Sequence, residues 1–453
     1  MIAGPRQPMR FAACGPLRGV AAVPGDKSIS HRALIIASVA DGRSSIAGLS
    51  DGADLLSTAG ALRALGASIA QNGKEWIVDG VGPAGLRSPE GVLDMGNSGT
   101  SARLLMGLVA SHPIEASFTG DASLRTRPMD RVIGPLRRMG ALVNAEPGDR
   151  LPLTLRGAAR PQPVRHETRI ASAQVKSALL LAALNTPGET AVAEAVPTRN
   201  HTELMLRHFG APVRIDLHGT GVRVGITGPI SVEPRQVRIL GDFSAAAFLL
   251  VAALIVPGSE VRVEALVLNP MRTGLFTLLR RMGADLSMEV SGEMQGEPIG
   301  AVTARHSRLV GGSFFTGPSA PMLIASAIDE FPIFFIAAAF ASGGTEVTGL
   351  SELRVKESDR ISAMAAGLRA IGANVEERGD GLAIAGSGGD ALAGGATIDP
   401  GLDHRVAMAF AVAGLHCREP VTIADMSPVR TSFPGFARAL AEIGANPEEI
   451  GSC

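Results

Sequence analysis

Tyrosine is absent from this 453-residue sequence, tryptophan occurs once, and aromatic residues make up only 4% of the chain. A mechanism that uses a phenol is therefore excluded. Hydrophobic residues still account for 46% of the chain, so the core must consist mainly of alanine, leucine, valine and isoleucine. A chain of this length can form roughly two to four domains with buried cores.

An excess of charge of either sign is also missing, because 42 Lys and Arg stand against 43 Asp and Glu. Proteins that bind nucleic acids or membrane surfaces usually carry a basic excess, so we expect neither partner. Cys14, Cys417 and Cys453 are scattered and form no CxxC pattern, which fits a reducing compartment. The apolar run Ala245–Val256 has 12 residues and is too short to span a bilayer. We expect a soluble cytoplasmic protein.

Six copies of a short signature, an apolar residue followed by Gly-Ala, recur along the sequence at nearly regular intervals. The copies are 70 to 74 residues apart, with one interval of 89. Each glycine follows an amphipathic segment and precedes strand-like sequence, as expected where a helix ends in a left-handed residue. The signature glycines are Gly66, Gly140, Gly210, Gly283, Gly372 and Gly444.

A second, more apolar helix with a polar start is predicted upstream of each signature. The six predicted buried helices are Lys27–Ala40, Ser98–Ala110, Ala173–Leu184, Phe243–Val256, Glu330–Ala341 and His404–His416. A period of about 70 residues is too long for a solenoid. We therefore predict an α/β protein with two domains of three repeats each, residues 24–240 and residues 1–23 plus 241–453, and a substrate cleft between them. The extra length of the fifth repeat is predicted to form a loop, in Met288–Thr303 or in Gly311–Pro321.

The first predicted buried helix begins with the segment Pro24–Arg32. Asp26 occupies an N-cap position, and Lys27 and Ser28 follow it at a helix N-terminus, where free N–H groups favour an anion. Ser28 and Arg32 are four residues apart and lie on one helix face. These residues form either an anion site or a capped helix with solvated cations.

The same design recurs at other predicted helix starts, which favours the anion site. Two domains that direct several positive helix ends at one cleft would suit a multiply anionic pair of substrates. The fourth start, Gly241–Ser244, has no cation and is predicted only to cap its helix. The other starts are Gly96–Ser101 with Arg103, Ser172–Gln174 with Lys176, Asp329–Pro332, and Asp403–Arg405.

Further charged residues stand at two other places. Arg125 and Arg127 precede a helix. Lys356 and Arg360 are spaced i,i+4, and Glu357 lies three residues before Arg360. A carboxylate flanked by cations suits acid–base chemistry on a phosphate ester, whereas the alternative is a solvated charged helix start.

Two other segments have alternative interpretations. Asp329 is either a functional carboxylate or an N-cap. The segment Asn97–Thr100 is either a phosphate cradle or a polar turn. The sequence contains no GxxxxGK[ST], no HExxH, and no GxGxxG that opens a helix after a strand, so it indicates no metal and no nucleotide cofactor.

Several of these segments, taken together, resemble the 5-enolpyruvylshikimate-3-phosphate synthase family, and the resemblance runs from about Leu17 to Pro434. Two further segments are similar to the bacterial class II branch of that family, namely Ala171–Lys176 and Thr198–Glu203. The segments that carry the family resemblance are Gly25–Arg32, Gly96–Thr100, Arg125–Met129, Leu353–Arg360 and Asp403–Arg405.

The resemblance implies a fold of two globular domains, each built from three βαβαββ units with buried parallel helices. It also implies transfer of the enolpyruvyl group of phosphoenolpyruvate to the 5-hydroxyl of shikimate 3-phosphate, with release of phosphate. The reaction passes through a tetrahedral intermediate and needs no metal or organic cofactor. A monomeric enzyme is expected.

The resemblance also implies roles for individual residues. Lys27 would contact both substrates, Asp329 would take the 5-hydroxyl proton, and Glu357 would handle the methylene proton. Shikimate 3-phosphate would be held by Lys27, Ser28, Arg32, Ser172, Ala173, Gln174, Arg199, Asp329 and Lys356. Phosphoenolpyruvate would be held by Lys27, Asn97, Gly99, Arg127, Gln174, Arg360 and Arg405.

The sequence departs from the family pattern near its C-terminus. Many members have a lysine just before a Phe-Pro pair, whereas Arg430 stands here at a position shifted by one. Gly99 occupies the position at which glyphosate-tolerant class II members carry alanine. We therefore predict that glyphosate, which mimics bound phosphoenolpyruvate, inhibits this protein.

Two other functions remain as alternatives. UDP-N-acetylglucosamine enolpyruvyl transferases have the same fold, but they carry a Lys-Asn pair where this chain has Lys27 and Ser28. They usually also have a reactive cysteine in a loop, and no cysteine of this chain lies in a matching place. A protein that binds shikimate 3-phosphate without turnover is the other alternative. Retention of both Asp329 and Glu357 argues against it.

Overall fold

The computed structural model describes residues 6–315, 317 and 319–450. Residues 1–5 of the predicted second domain and Cys453 lie outside the described residues. The chain forms two compact units. The first comprises Gly25–Ile239 and Glu293–Glu297, and the second comprises the described residues up to Pro24, Leu240–Gly292, and the described residues from Pro298 onward.

Helices of the first unit follow the repeat predicted from the sequence. An apolar helix is buried in each repeat, and a second helix ends at the signature glycine. The buried helices span Lys27–Ser38, Gly99–Ala110 and Ala173–Ala183. The second helices span Ala53–Ala64, Asp130–Arg138 and His201–His208, and a short helix spans Ala122–Thr126.

Each repeat of the first unit also carries a four-stranded sheet with one parallel and two antiparallel pairings. The first sheet takes its edge strand Gln236–Arg238 from the far end of the unit, so this sheet is complete only when the whole unit has folded. In sheet order, the strands are Gln236–Arg238, Arg43–Ala47, Glu75–Asp79 and Ser68–Asn72; Leu93–Asp94, Glu115–Thr119, Arg150–Arg156 and Leu142–Glu146; and Arg165–Thr168, Gly188–Glu194, Gly221–Gly228 and Arg214–His218.

Helices of the second unit repeat the same alternation. Every residue of Phe243–Ile255 and of Phe331–Phe340 is buried, as expected for helices that are apolar on all sides. The third buried helix spans His404–Gly414. The remaining α-helices span Gly274–Arg281, Ala320–Ala327, Arg360–Ala370 and Phe436–Glu442, and 3-10 helices span Ser351–Val355 and Ser427–Thr431.

The sheets of the second unit include strands from the beginning of the chain. Arg18–Ala21 pairs in parallel with Glu260–Val263, and Met9–Phe11 pairs antiparallel with Val421–Ile423. In sheet order, the strands are Asp285–Met294, Glu297–Arg305, Glu260–Val267 and Arg18–Ala21; Gly344–Val347, Gly381–Ala385 and Asn374–Arg378; Leu392–Gly394 and Cys417–Glu419; and Thr397–Ile398, Val421–Ile423, Met9–Phe11 and Glu448–Glu449.

The six signature glycines have the backbone conformation that the sequence predicts. Their φ angles lie between +85° and +117°, in the region that residues with a Cβ rarely adopt. Each glycine directly follows the C-cap residue of its helix. The prediction that these glycines end helices is confirmed.

The loop predicted in Met288–Thr303 or in Gly311–Pro321 lies in the second of these segments, where the described residues from 311 to 319 belong to no named helix or strand. The interpretation of Met288–Thr303 as loop-like is wrong. This segment lies in a long β-hairpin, Asp285–Met294 with Glu297–Arg305, which turns at Gln295 and Gly296. Most side chains from Glu289 to Glu293 are exposed. The polar and glycine-rich composition therefore reflects a solvated strand and not a loop.

No single helix among the described residues has the length and apolar composition to cross a membrane, although the bent pair Ala320–Ala327 and Phe331–Phe340 passes that test when taken together.

Candidate active site

The first buried helix begins as predicted. The Asp26 carboxylate accepts a hydrogen bond from the backbone N–H of Ile29 at 2.9 Å, so Asp26 is confirmed as the N-cap. The Lys27 ammonium lies 2.5 Å from the buried Asp54 carboxylate, which stands in the first turn of the next helix. Arg32 donates to the backbone oxygen of Ser28 at 2.8 Å, so these two residues meet on one helix face.

Arg32 is buried and not solvated. Its Nε donates to Thr202 Oγ1 at 2.6 Å, and its Nη2 donates to Ser177 Oγ at 2.8 Å. Ser177 lies in the buried helix Ala173–Ala183, and Thr202 lies in the helix His201–His208. One guanidinium therefore connects three helices of the first unit, which excludes the solvated-cation interpretation.

His31 lies in the same helix as Lys27 and Arg32 and is fully buried. Its Nδ1 is 2.8 Å from Thr58 Oγ1. Burial, together with the positive charges of Lys27 and Arg32, holds the pKa of His31 well below its usual value. His31 is therefore neutral near pH 7 and adds no charge to the helix start.

The turn before the second buried helix is fixed by side-chain hydrogen bonds. Ser98 caps the helix by accepting from the Ser101 N–H at 3.1 Å. Asn97 donates to Asp121 at 2.6 Å and accepts from Arg127 Nη2 at 2.5 Å. Arg127 is buried, so the structure places its guanidinium directly against the turn that contains Gly99.

The third buried helix begins beside the second. Ser172 caps it through the Val175 N–H at 3.5 Å, and Ala173 is its first residue. Gln174 donates to Thr100 Oγ1 at 3.0 Å and accepts from Arg103 Nη1 at 2.9 Å. Arg103 has no assigned role among the predicted site residues, yet it contacts two of them, because it also donates to the backbone oxygen of Gly99 at 3.4 Å.

Arg199 lies in the segment before the helix His201–His208 and is half-buried. The preceding residue, Thr198, is fixed by a hydrogen bond, because the Lys176 ammonium donates to its backbone oxygen at 3.2 Å. Lys176 also contacts the carboxylates of Glu194 at 2.8 Å and Glu203 at 2.7 Å, and all three side chains are buried. Burial lowers the pKa of Lys176, but the two carboxylates outweigh burial and raise the pKa overall, so this residue stays charged.

In the second unit, Asp329 lies between cations. Its Oδ1 is 3.2 Å from Lys356 Nζ and 3.7 Å from Arg360 Nη1. Arg405 donates to the backbone oxygen of Asp329 at 2.8 Å. The N-cap residue of the helix Phe331–Phe340 is Glu330, so the alternative interpretation of Asp329 as that N-cap is wrong.

Glu357 and Arg360 pair as their spacing predicts, at 2.6 Å. Arg360 also donates to Asp403 at 2.8 Å and is almost completely buried. Burial lowers the pKa of Arg360, but the Asp403 and Glu357 carboxylates raise it by more. The alternative of a solvated charged helix start is therefore wrong, and Lys356 lies outside the helix, which begins at Arg360.

Two helix starts of the second unit share one cation. Asp403 caps its helix through the Arg405 N–H at 2.9 Å, and Arg405 Nη1 is 3.3 Å from Glu330 Oε1. The arginine of one repeat thus reaches the helix start of another. Arg430, in contrast, is exposed in the 3-10 helix Ser427–Thr431.

The fourth helix start does more than cap its helix. Asp242 accepts from the Ser244 N–H at 2.7 Å, which confirms the predicted cap. The buried Arg272 also lies 3.1 Å from Asp242. The prediction that this start lacks a cation is incomplete, because Arg272 comes from a segment 30 residues further along the chain, where no sequence signal indicated it.

In the second unit, ion pairs and hydrogen bonds connect all of the predicted site residues. In the first unit they form direct pairs, Ser28 with Arg32 and Asn97 with Arg127. Among the described residues, no group of three or more His, Cys, Asp or Glu side chains could hold a metal ion. The first unit contributes Lys27, Ser28, Arg32, Asn97, Gly99, Arg127, Ser172, Ala173, Gln174 and Arg199. The second unit contributes Asp329, Lys356, Glu357, Arg360 and Arg405.

Comparison with known proteins identifies the family. A sequence model described as EPSP synthase (3-phosphoshikimate 1-carboxyvinyltransferase) matches residues 12–440. The chain belongs to the EPSP synthase family. It is 54% identical over 440 residues to the 3-phosphoshikimate 1-carboxyvinyltransferase of Sphingopyxis alaskensis, covering 96% of this chain and 98% of that protein. The corresponding protein of Novosphingobium aromaticivorans is 52% identical, with 97% and 100% covered.

Solved structures agree with the EPSP synthase assignment. An EPSP synthase from Acinetobacter baumannii superposes with a TM-score of 0.84 at 40% identity, covering 98% of this chain and 100% of that one. The enolpyruvyl transferase NikO from Streptomyces tendae has a TM-score of 0.76 at 18% identity, with 99% and 100% covered, and shows similarity of fold alone. The protein has the two-domain enolpyruvyl transferase fold that the family resemblance implied, and the predicted repeats agree with it.

Proposed function

We propose that this protein transfers the enolpyruvyl group of phosphoenolpyruvate to the 5-hydroxyl of shikimate 3-phosphate, a step of aromatic amino acid biosynthesis by the shikimate pathway. Both groups of side chains act on the same pair of substrates. The observation that carries the proposal is the arrangement in the second unit, where Asp329 and Glu357 each contact a cation. This reaction moves protons at an oxygen and at a carbon, and a separate carboxylate can serve each position.

Shikimate 3-phosphate is bound mainly by the first unit in this proposal. Arg32 and Ser28 meet at a helix N-terminus, where N–H groups and a cation suit a phosphate. Ser172, Ala173 and Gln174 form another helix start. The remaining proposed contacts to this substrate come from Arg199, Lys27, Asp329 and Lys356.

Phosphoenolpyruvate is bound by arginines of both units and by the turn before Gly99. Arg127 is already oriented by Asn97, and Arg360 and Arg405 are oriented by Asp403 and Glu330. Arginine matches the geometry of carboxylate and phosphate groups with paired donors. Lys27 and Gln174 complete this set in the proposal.

The proposed chemistry assigns the proton on oxygen to one carboxylate and the protons on carbon to the other. A proton adds to the methylene carbon of phosphoenolpyruvate, and the 5-oxygen forms a bond to the adjacent carbon while Asp329 takes the hydroxyl proton. The C–O bond to phosphate then breaks, and loss of a methyl proton restores the double bond. Glu357 handles the proton on carbon, and Lys27 polarises the reacting oxygens.

In this proposal the protein acts as a monomer in the cytoplasm, without a nucleic-acid or membrane partner. The net charge of −1 gives no basic excess that would favour a nucleic-acid or membrane partner. The absence of a cysteine pairing pattern in the sequence is compatible with a reducing compartment.

The direct test of this function is phosphate release by the purified protein with each substrate omitted in turn. Release is expected only when both shikimate 3-phosphate and phosphoenolpyruvate are present. Binding of shikimate 3-phosphate without release would indicate a binding protein. Release that depends on UDP-N-acetylglucosamine instead would indicate the related transferase.

Glyphosate inhibition is expected to depend on the absence of a side chain at Gly99. A Cβ at this position would lie 2.6 Å from Arg103 Nη1 and 3.3 Å from Arg127 Nη1. Arg103 is held by a hydrogen bond to Gln174 and Arg127 by one to Asn97, so neither guanidinium can move away without breaking that bond. We expect Gly99→Ala to raise the glyphosate concentration for half-inhibition and the KM for phosphoenolpyruvate by roughly tenfold or more.

The matched control is Gly60→Ala, because a Cβ at Gly60 would meet nothing within 4 Å. This variant should have the inhibition curve of the wild type. A wild-type protein that is unaffected by glyphosate at millimolar concentration, or a Gly99→Ala variant as sensitive as the wild type, would contradict the proposed placement of phosphoenolpyruvate.

A further inference from the structure

A continuous series of buried polar side chains connects the first turns of the buried helices in the second unit. We call it the Arg272 chain, and it consists of Arg272, Asp242, Ser244 and Glu330. All four side chains are buried. None of them is among the residues to which the family resemblance assigns a role, so their burial together needs another explanation.

The Arg272 chain begins with a cation held by two acceptors. Arg272 Nη2 is 3.1 Å from Asp242 Oδ1 and 2.7 Å from Ser244 Oγ. Asp242 also accepts from the Ser244 N–H at 2.7 Å. The first turn of the helix Phe243–Ile255 is therefore fixed at Ser244 from two sides.

The direction of the hydrogen bonds follows from the donors that each group has. Arginine can only donate, so Ser244 accepts from Arg272, and its single hydroxyl proton is directed to the Glu330 carboxylate, which is its other partner. The same Glu330 oxygen lies 3.3 Å from Arg405 Nη1. The chain thus ends on a cation of the proposed phosphoenolpyruvate site.

We propose that Arg272 and Ser244 are positioning residues that set the affinity for phosphoenolpyruvate by fixing Glu330 and, through it, Arg405. This inference rests on the proposed function. With the hydroxyl in place, the charge of Glu330 is shared between Ser244 and Arg405. Without it, Glu330 loses one hydrogen-bond donor while Arg405 Nη1 stays at 3.3 Å, so the carboxylate competes more strongly with an anionic substrate for the guanidinium.

The test is the Ser244→Ala variant, which removes one hydroxyl and keeps the helix. We expect the KM for phosphoenolpyruvate to rise about tenfold, since a hydrogen bond to a charged group is lost. The KM for shikimate 3-phosphate should stay within about twofold of the wild type. This difference between the two substrates distinguishes positioning from general loss of structure, which would change both constants.

Two serine variants serve as matched controls. Ser177→Ala removes the hydroxyl that holds Arg32 and should raise the KM for shikimate 3-phosphate instead. Ser259→Ala removes a buried hydroxyl that accepts from the Leu17 N–H and should change neither constant.

The outcomes separate this inference from the proposed function. An active Ser244→Ala variant with an unchanged KM for phosphoenolpyruvate, or with an equal rise in both constants, overturns the inference alone. A wild-type protein that releases no phosphate from the two substrates overturns the proposed function and the inference with it.

Discussion

The Asp329→Asn variant is expected to turn over about a thousandfold more slowly than the wild type, with shikimate 3-phosphate still bound. Asparagine keeps the size of the side chain and an oxygen for Lys356, but it cannot take a proton from the 5-hydroxyl. General-base catalysis contributes roughly 10²- to 10⁴-fold, so a loss of about a thousandfold is the central expectation. The measurements are phosphate release with both substrates saturating, and calorimetric binding of shikimate 3-phosphate.

The control for this variant is Asp425→Asn in the same unit. The Asp425 carboxylate accepts hydrogen bonds from the backbone N–H groups of Ser427 and Gln7, and asparagine can accept them as well. Its turnover should remain near that of the wild type. An Asp329→Asn protein that turns over within tenfold of the wild type would exclude Asp329 as the base.

The Lys176→Met variant is expected to destabilise the first unit by about 3–5 kcal/mol, the usual cost of removing one partner from a buried ion pair. Methionine fills the space of the lysine stem but leaves Glu194 and Glu203 buried without their shared cation. The measurement is urea unfolding followed by fluorescence. Trp76 is the only tryptophan, tyrosine is absent, and Trp76 is buried in the first unit, so the signal reports on this unit alone.

Two further variants test whether the unpaired charges cause the loss of stability in Lys176→Met. Adding Glu194→Gln and Glu203→Gln to Lys176→Met should recover at least half of the lost stability, because no unpaired charge remains. Arg43→Met, which breaks an exposed ion pair with Asp79 in the sheet of Trp76, should change stability by no more than experimental error. A triple variant as unstable as Lys176→Met would attribute the loss to packing and contradict the explanation by charge.

The pH dependence of this contribution follows from the direction of the pKa shift. The pKa of Lys176 is raised in the folded protein, so its contribution is complete below the unfolded value of about 10.4. That contribution is lost only as the pH rises through the folded pKa. The difference between wild type and Lys176→Met at pH 7 therefore contains the whole effect of the charged lysine.

Local signals in the sequence were sufficient for the repeat and for most helix boundaries. Asp26 was recognised as a cap because it precedes an apolar run, and the structure shows its hydrogen bond to Ile29. Gly66 and its counterparts are predicted to end helices because each follows an amphipathic segment, and a glycine readily adopts the left-handed conformation that ends a helix. The pairing of Glu357 with Arg360 followed from a spacing of three residues. Each of these features depends on residues within about one helical turn of one another.

Features that depend on distant residues were not accessible in the same way. Arg272 meets Asp242 across 30 residues, and Ser244 meets Glu330 across 86 residues. Periodicity within a segment does not reveal such contacts. The segment Met288–Thr303, one of the two segments in which a loop is predicted, lies in the hairpin Asp285–Met294 with Glu297–Arg305. Its composition is typical of a loop because the solvated strand is rich in polar residues and glycine. A solvated strand lacks the apolar alternation by which a half-buried strand is recognised.

The most direct test of enolpyruvyl transfer uses phosphoenolpyruvate labelled with ¹⁸O in the oxygen that joins carbon to phosphorus. The wild-type protein is incubated with this substrate and shikimate 3-phosphate, and the released phosphate is analysed by mass spectrometry. Enolpyruvyl transfer breaks the C–O bond, so the phosphate should retain the label and appear in equal amount with an enolpyruvyl ether. Phosphate without the label would show cleavage of the P–O bond and would contradict enolpyruvyl transfer as the function of this protein.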